Sequence, residues 1–181
     1  MRTLSFAIAA AAVALVPLAA SAHGPVRQKV EQTVEIAAPP ETVWARIGSY
    51  DDMSWLPGVF STEADKGNEK GSIRTLTLES AEGPKIVEEL DKYDAEKMSY
   101  KYRINSVAVE VLPVTNYAST IEVKPSEAGS TVSWKGAFYR GFPNNDPPPE
   151  LNDEAAVNAV NQLYRTGLDA LKAEIEASPQ G

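Results

Sequence analysis

Apolar residues recur at Ala156, Val160, Leu163, Gly167 and Leu171, flanked by Val157, Tyr164, Leu168 and Ile175. That spacing predicts one broad stripe along a helix from Glu150 to Ile175. Asn158, Gln162, Arg165, Asp169, Lys172 and Glu176 fall on the opposite, wet face. Gly167 lies on the stripe, where it costs about 1 kcal/mol of helix propensity relative to alanine. A close approach of the helix to whatever covers it is the return expected for that loss. Asn152 or a neighbour is the expected cap.

Before this helix the period changes from about four to two. Val30, Gln32, Val34 and Ile36 alternate with Lys29, Glu31, Thr33 and Glu35, which predicts a half-buried strand from Gln28 to Ile36. Ala38-Pro39-Pro40-Glu41 ends that strand and opens a short helix carrying Val43, Trp44 and Ile47. Gly48-Ser49 interrupts it, and a second short helix is expected from Tyr50 to Trp55 before the turn at Leu56-Pro57-Gly58. Further strands are read at Val59 to Ala64, Ser72 to Leu78, Lys85 to Tyr93, Ser99 to Ile104, Val114 to Val123 and Ser130 to Tyr139. The segment from Asn105 to Leu112 extends a strand or loops over the sheet. Hairpin-length connections argue for an antiparallel meander, and the helical stripe can be buried only against its face. The expected class is α+β: a curved seven-stranded antiparallel sheet around a long C-terminal helix, with two short helices after the first strand.

The first twenty-two residues change this picture at one end. Arg2, the uncharged apolar run Leu4 to Leu18 and the small residues Ala20-Ser21-Ala22 make a cleavable export signal, so residues 23–181 are expected to form a single periplasmic domain. The run is shorter than the ~20 apolar residues that a membrane span needs. The formal charge is −8, and it becomes more negative by one when Arg2 is removed. Nucleic acid and anionic membranes are poor partners for such a chain. With no cysteine, disulfides and thiolate chemistry are excluded. His23 is the sole histidine, so a Ser/His/Asp triad and a His or Cys zinc site lack support, and neither a metal nor another cofactor is expected.

Six stretches, APPETVWARIGSYDDMSWLPGV, GSIRTLTL, KIVEELDKYD, MSYKYRI, LPVTNYASTIEV and STVSWKGAFYR, resemble the START-like (SRPBCC), polyketide cyclase/dehydrase superfamily in order and spacing. The resemblance spans Arg27 to Ala177 and implies the helix-grip fold, which hosts carriers and cyclases alike. The export signal, the His-Gly-Pro start, RGFPNNDPPPELNDEAAV and LPVTNY also resemble the MxaD family of bacterial methanol oxidation. That narrower resemblance implies a non-catalytic accessory that promotes electron transfer between methanol dehydrogenase and its cytochrome c. It carries no catalytic residue across.

The residues leave further chemistry open. Alternation sets Arg74 on one face with Leu76 and Leu78, where it is either a polar group inside or a strand-end arginine with its head in solvent. Glu88 and Glu89 point to opposite faces, so one of them can meet Arg74 or Arg103 inside, to bind a polar ligand or to do acid–base work. Trp44, Trp55, Tyr100, Tyr102, Tyr117, Trp134, Phe138 and Tyr164 supply either a core or the walls of a pocket for a small apolar ligand. Trp44 and Trp134 are expected in the core, and Trp55, beside Pro57, at a cavity mouth. The candidate ligand contacts are Trp55, Arg74, Glu88, Tyr102, Tyr117, Trp134, Phe138 and Tyr164. The acidic clusters Asp51-Asp52, Glu88-Glu89-Asp91 and Asp153-Glu154 are either solvated or suited to a lysine-rich partner.

Overall fold

The computed structural model describes residues 24–177, so the export signal and His23 lie outside the described residues. Seven strands form one antiparallel sheet: β1 (Gln28–Ile36), β2 (Val59–Ala64), β3 (Ile73–Leu78), β4 (Lys85–Asp94), β5 (Ser99–Ser106), β6 (Val114–Ser126) and β7 (Gly129–Arg140). Their order across the sheet is β1-β7-β6-β5-β4-β3-β2. Each strand from β2 to β7 therefore pairs with its neighbour in sequence, as hairpin-length connections require, and only β1 crosses over to β7. Register shifts interrupt the β2–β3, β4–β5 and β6–β7 ladders. Each inserts an unpaired residue that bends its strand, and so the sheet curls.

Helix α1 (Pro40–Ile47) follows β1, and α2 (Asp153–Ala177) lies in the hollow of the sheet. The expected stripe is the buried one: Ala156, Val160, Tyr164, Gly167, Leu168, Leu171 and Ile175. The helix begins three residues later than the pattern suggested. A 3-10 turn occupies Pro149–Leu151, and the Asn152 side chain accepts the Ala155 N–H at 2.8 Å, which caps α2. Gly167 does allow the close approach expected of it. A Cβ there would lie 2.7 Å from Leu56 Cδ1 and 3.0 Å from Trp134 Cζ3. Side chains of α2 also cover the outer edge of β1: Arg165 donates to the Thr33 carbonyl at 3.1 Å, and Lys172 to that of Glu35 at 2.6 Å.

Two expectations need correction, and one open alternative is resolved. Tyr50 to Trp55 forms turns, not a second helix. Side chains there take the N–H groups that a helix would have used: Asn68 accepts from Tyr50, Thr62 from Met53 and Asp52 from Ser54. Trp44 is half-buried against Tyr93 and Tyr100 and does not sit in the core, because α1 presents Val43 and Ile47 inward instead. The ambiguous stretch after Asn105 ends β5 at Ser106 and then loops back, with Leu112 buried over the sheet.

Candidate functional site

Arg74 and Glu88 stand directly opposite each other on β3 and β4. They share a face with Leu76 and Ile86, so alternation sends both charged groups inward with the apolar ones. The solvent-facing reading of Arg74 is overturned, since it is 0% exposed and Glu88 is 4% exposed. Arg74 Nε donates to Glu88 Oε2 at 2.7 Å, and Arg74 Nη2 lies 2.6 Å from the same oxygen. Arg74 Nη1 donates to the Tyr50 carbonyl at 3.0 Å. The guanidinium is held between the rings of Tyr50 and Tyr102, with centroids 4.1 and 5.1 Å away. Burial opposes its charge, but Glu88 and the surrounding tyrosines outweigh burial and hold its pKa above the ordinary arginine value. Burial also raises the Glu88 pKa, against the pull of Arg74. Glu89 points the other way and joins Arg103 on the outer face.

In front of this pair lies a cavity of about 170 Å³ between the sheet, the 53–59 and 111–112 segments and Leu163 of α2. Four of the eight candidate contacts line it: Glu88, Tyr102, Tyr117 and Trp134. The other four do not. Arg74 is sealed behind Glu88, and Phe138 and Tyr164 are fully buried, stacked on Tyr117 and Trp134. Trp55 is not at a mouth either. It is 2% exposed, with its ring 5.5 Å from that of Trp134, because Pro57 and Gly58 turn the chain so that Leu56 to Val59 take the cavity wall.

The buried hydroxyls form a chain with a definite direction. Ser119 donates to the Lys135 carbonyl at 2.7 Å, so Tyr164, 2.8 Å from Ser119 Oγ, must be the donor to it. Tyr117 therefore donates to Tyr164 across 2.6 Å. Trp134 Nε1 donates to the Tyr102 hydroxyl at 3.1 Å. Burial drives the pKa values of Tyr102, Tyr117 and Tyr164 above the ordinary phenol value, so all three remain protonated. Gly136 makes room for the chain: a Cβ there would lie 2.1 Å from the Tyr164 hydroxyl oxygen.

Sequence reasoning missed Tyr50, Ser119, Val111 and Leu112. Ser119 stands two residues from Tyr117 on the strand expected from Val114 to Val123, and that spacing was the available signal. Tyr50 and Leu112 gave none, since both reach the site from turns. The acidic clusters are largely matched within the fold: Arg46 pairs with Asp52, Arg103 with Glu89 and Asp91, and Arg140 with Asp153. Among the described residues no group of three His, Cys, Asp or Glu is placed to hold a metal ion, and no helix is long and apolar enough to cross a membrane.

Proteins of known structure share this arrangement of sheet and helix. A Bacillus cereus protein called XoxI superposes with a TM-score of 0.68 at 32% identity, covering 82% of this chain and 96% of that one. A protein from Nitrosospira multiformis gives 0.66 at 25% identity, over 83% and 97%. Norcoclaurine synthase from Thalictrum flavum, at 0.59 and 20% identity over 87% and 91%, shares the fold. MLP-like protein 423 of Arabidopsis thaliana is 31% identical over 137 residues, 69% of this chain and 84% of that protein. The family described as polyketide cyclase / dehydrase and lipid transport matches residues 27–176, from the start of β1 to the end of α2. With its fold and nearly all its described length accounted for in this way, the chain belongs to the polyketide cyclase / dehydrase and lipid transport family.

Proposed function

We propose that this protein binds a small, largely apolar molecule in the cavity between the sheet and α2. The observation that carries the reading is the cavity itself, walled by residues such as Leu56, Leu76, Ile86 and Leu112, with one buried carboxylate at its back. A filled interior would have no use for a buried ion pair at that wall, because well-packed apolar residues are generally at least as stabilising. Membership of a family described by lipid transport supports the same reading. The test is native mass spectrometry of the protein purified from its host, followed by thermal shift with small apolar compounds. Bound material, or a rise in Tm that grows with ligand concentration, is expected. An empty protein that no such compound stabilises would reject it.

A second reading places this carrier in the periplasm as an accessory to methanol dehydrogenase and its cytochrome c. It rests on the resemblance of the 140–157 and 112–117 segments, and one observation favours it. Arg140 ties the first of these down, donating to the Phe142 and Asn144 carbonyls and to Asp153, each at 2.9 Å, so the segment is a fixed surface feature. The net negative charge, one unit beyond the full chain's −8 once Arg2 is removed, would steer a basic cytochrome, even with the acidic clusters locally paired. Electron transfer from dehydrogenase to cytochrome, measured with and without the protein at low and high salt, decides it. Acceleration that fades with salt is expected, and an unchanged rate at low salt refutes it.

A further inference from the structure

The geometry points to a neutral hydroxyl compound, about the size of one aromatic ring, as the ligand of this cavity, with Glu88 accepting a hydrogen bond from its hydroxyl. This rests on the ligand-binding reading above and narrows it by size, hydrogen bonding and charge. At about 170 Å³ the space is close to that of an engineered apolar cavity of about 150 Å³ that takes up benzene. A long acyl chain exceeds this volume.

The hydrogen bonds already made on this wall set its polarity. Of the polar side chains on the wall, Trp134 has committed its N–H to Tyr102, and Tyr117 has committed its O–H to Tyr164. Only the Tyr102 O–H is left among these to donate. Acceptors are in excess: both Arg74 nitrogens that approach Glu88 meet Oε2, so Oε1 receives neither, and the Tyr117 oxygen keeps a lone pair. A ligand that donates therefore matches this wall, and a ligand that only accepts does not.

Charge removes two further classes. Among the described residues no Lys, Arg or His lines the cavity, and its second carboxyl group, Glu79, is also an acid. Arg74 is sealed behind Glu88 and offers an incoming anion no contact. A carboxylate would thus shed its water to enter a low-dielectric space that offers it one O–H donor and no cation. An ammonium would shed its water for a carboxylate that Arg74 already neutralises, so the amine is disfavoured as well.

Four probes that share one ring separate these terms: benzyl alcohol, toluene, benzoate and benzylamine, titrated into the purified protein by calorimetry. Benzyl alcohol is expected to bind on the order of tenfold more tightly than toluene, the range of a hydrogen bond to a charged acceptor, with benzoate and benzylamine weaker than the alcohol. Benzoate or benzylamine binding as tightly as the alcohol would overturn the inference while leaving the ligand site standing, and so would toluene matching the alcohol. Binding by none of the four would reject the inference and the ligand-binding reading together. The double variant Arg74→Met with Glu88→Leu removes both charges at once and avoids stranding one of them. In it the alcohol's advantage over toluene is expected to vanish, and an advantage that persisted would take the role away from Glu88.

Discussion

Gly136→Ala is expected to destabilise this fold by about 2–4 kcal/mol, although alanine ordinarily gains about 0.5–1 kcal/mol over glycine inside a strand. The reversal comes from what the new methyl group meets. It would lie 2.1 Å from the Tyr164 hydroxyl oxygen and 3.2 Å from Cζ. The ring cannot step aside, because it is stacked on Trp134 at 4.4 Å with 13° between the planes. Overpacking of that kind costs about 1–3 kcal/mol. Displacing the hydroxyl also breaks its bonds to Tyr117 and Ser119, and a buried polar group left without a partner costs about 1–3 kcal/mol. Equilibrium urea unfolding followed by tryptophan fluorescence measures the difference. The same substitution in a Tyr164→Phe background removes the colliding atom, so its penalty should fall there by at least about 1 kcal/mol, as a double-mutant cycle would record. A Gly136→Ala variant as stable as the parent, or equal penalties in the two backgrounds, would refute both the clash and the directed hydroxyl chain.

Asn152→Ala should lower stability by about 1 kcal/mol through loss of the α2 cap, and Asn152→Asp should restore it, both read by thermal unfolding. Arg140→Lys cannot reproduce the contacts to Phe142, Asn144 and Asp153, so amide exchange across 142–151 should speed up while that of β4 and β5 stays unchanged. Glu88 has its pKa raised on folding, so the stability it contributes is greatest below its unfolded pKa and is lost as pH rises through the folded one. The stability of the parent relative to Glu88→Gln should therefore shrink from acid to neutral pH in urea titrations. A difference that grew with pH would contradict the assignment.

The regular elements were legible where one face is wet and the other dry. β1 and α2 could be read because most outward positions carry a polar residue against apolar inward ones, and β5 and β7 because their buried positions recur at every second residue. Arg74 was the informative exception: a charge in the apolar register of β3 marked the site, though sequence could not show that Glu88 would stand opposite it, since that depends on the β3–β4 register. The Tyr50–Trp55 turn was missed because its N–H acceptors, Asn68 and Thr62, come from further along the chain. Trp55 was misplaced for a similar reason. Its neighbours Pro57 and Gly58 signal a turn but not the side on which the indole will lie. Ser119 looked like an ordinary inward strand residue, and only the approach of Tyr164 from α2 gives its hydroxyl a part in the chain.

The arms that Arg165 and Lys172 lay across β1 bear on how copies of this molecule meet. A sheet open at both borders can add strands without end, and that route leads to fibres. Here one border is already occupied by the protein's own cations, which leaves β2, six residues long and kinked by its register shift. Strand-to-strand association through that single border joins two molecules back to back and then stops.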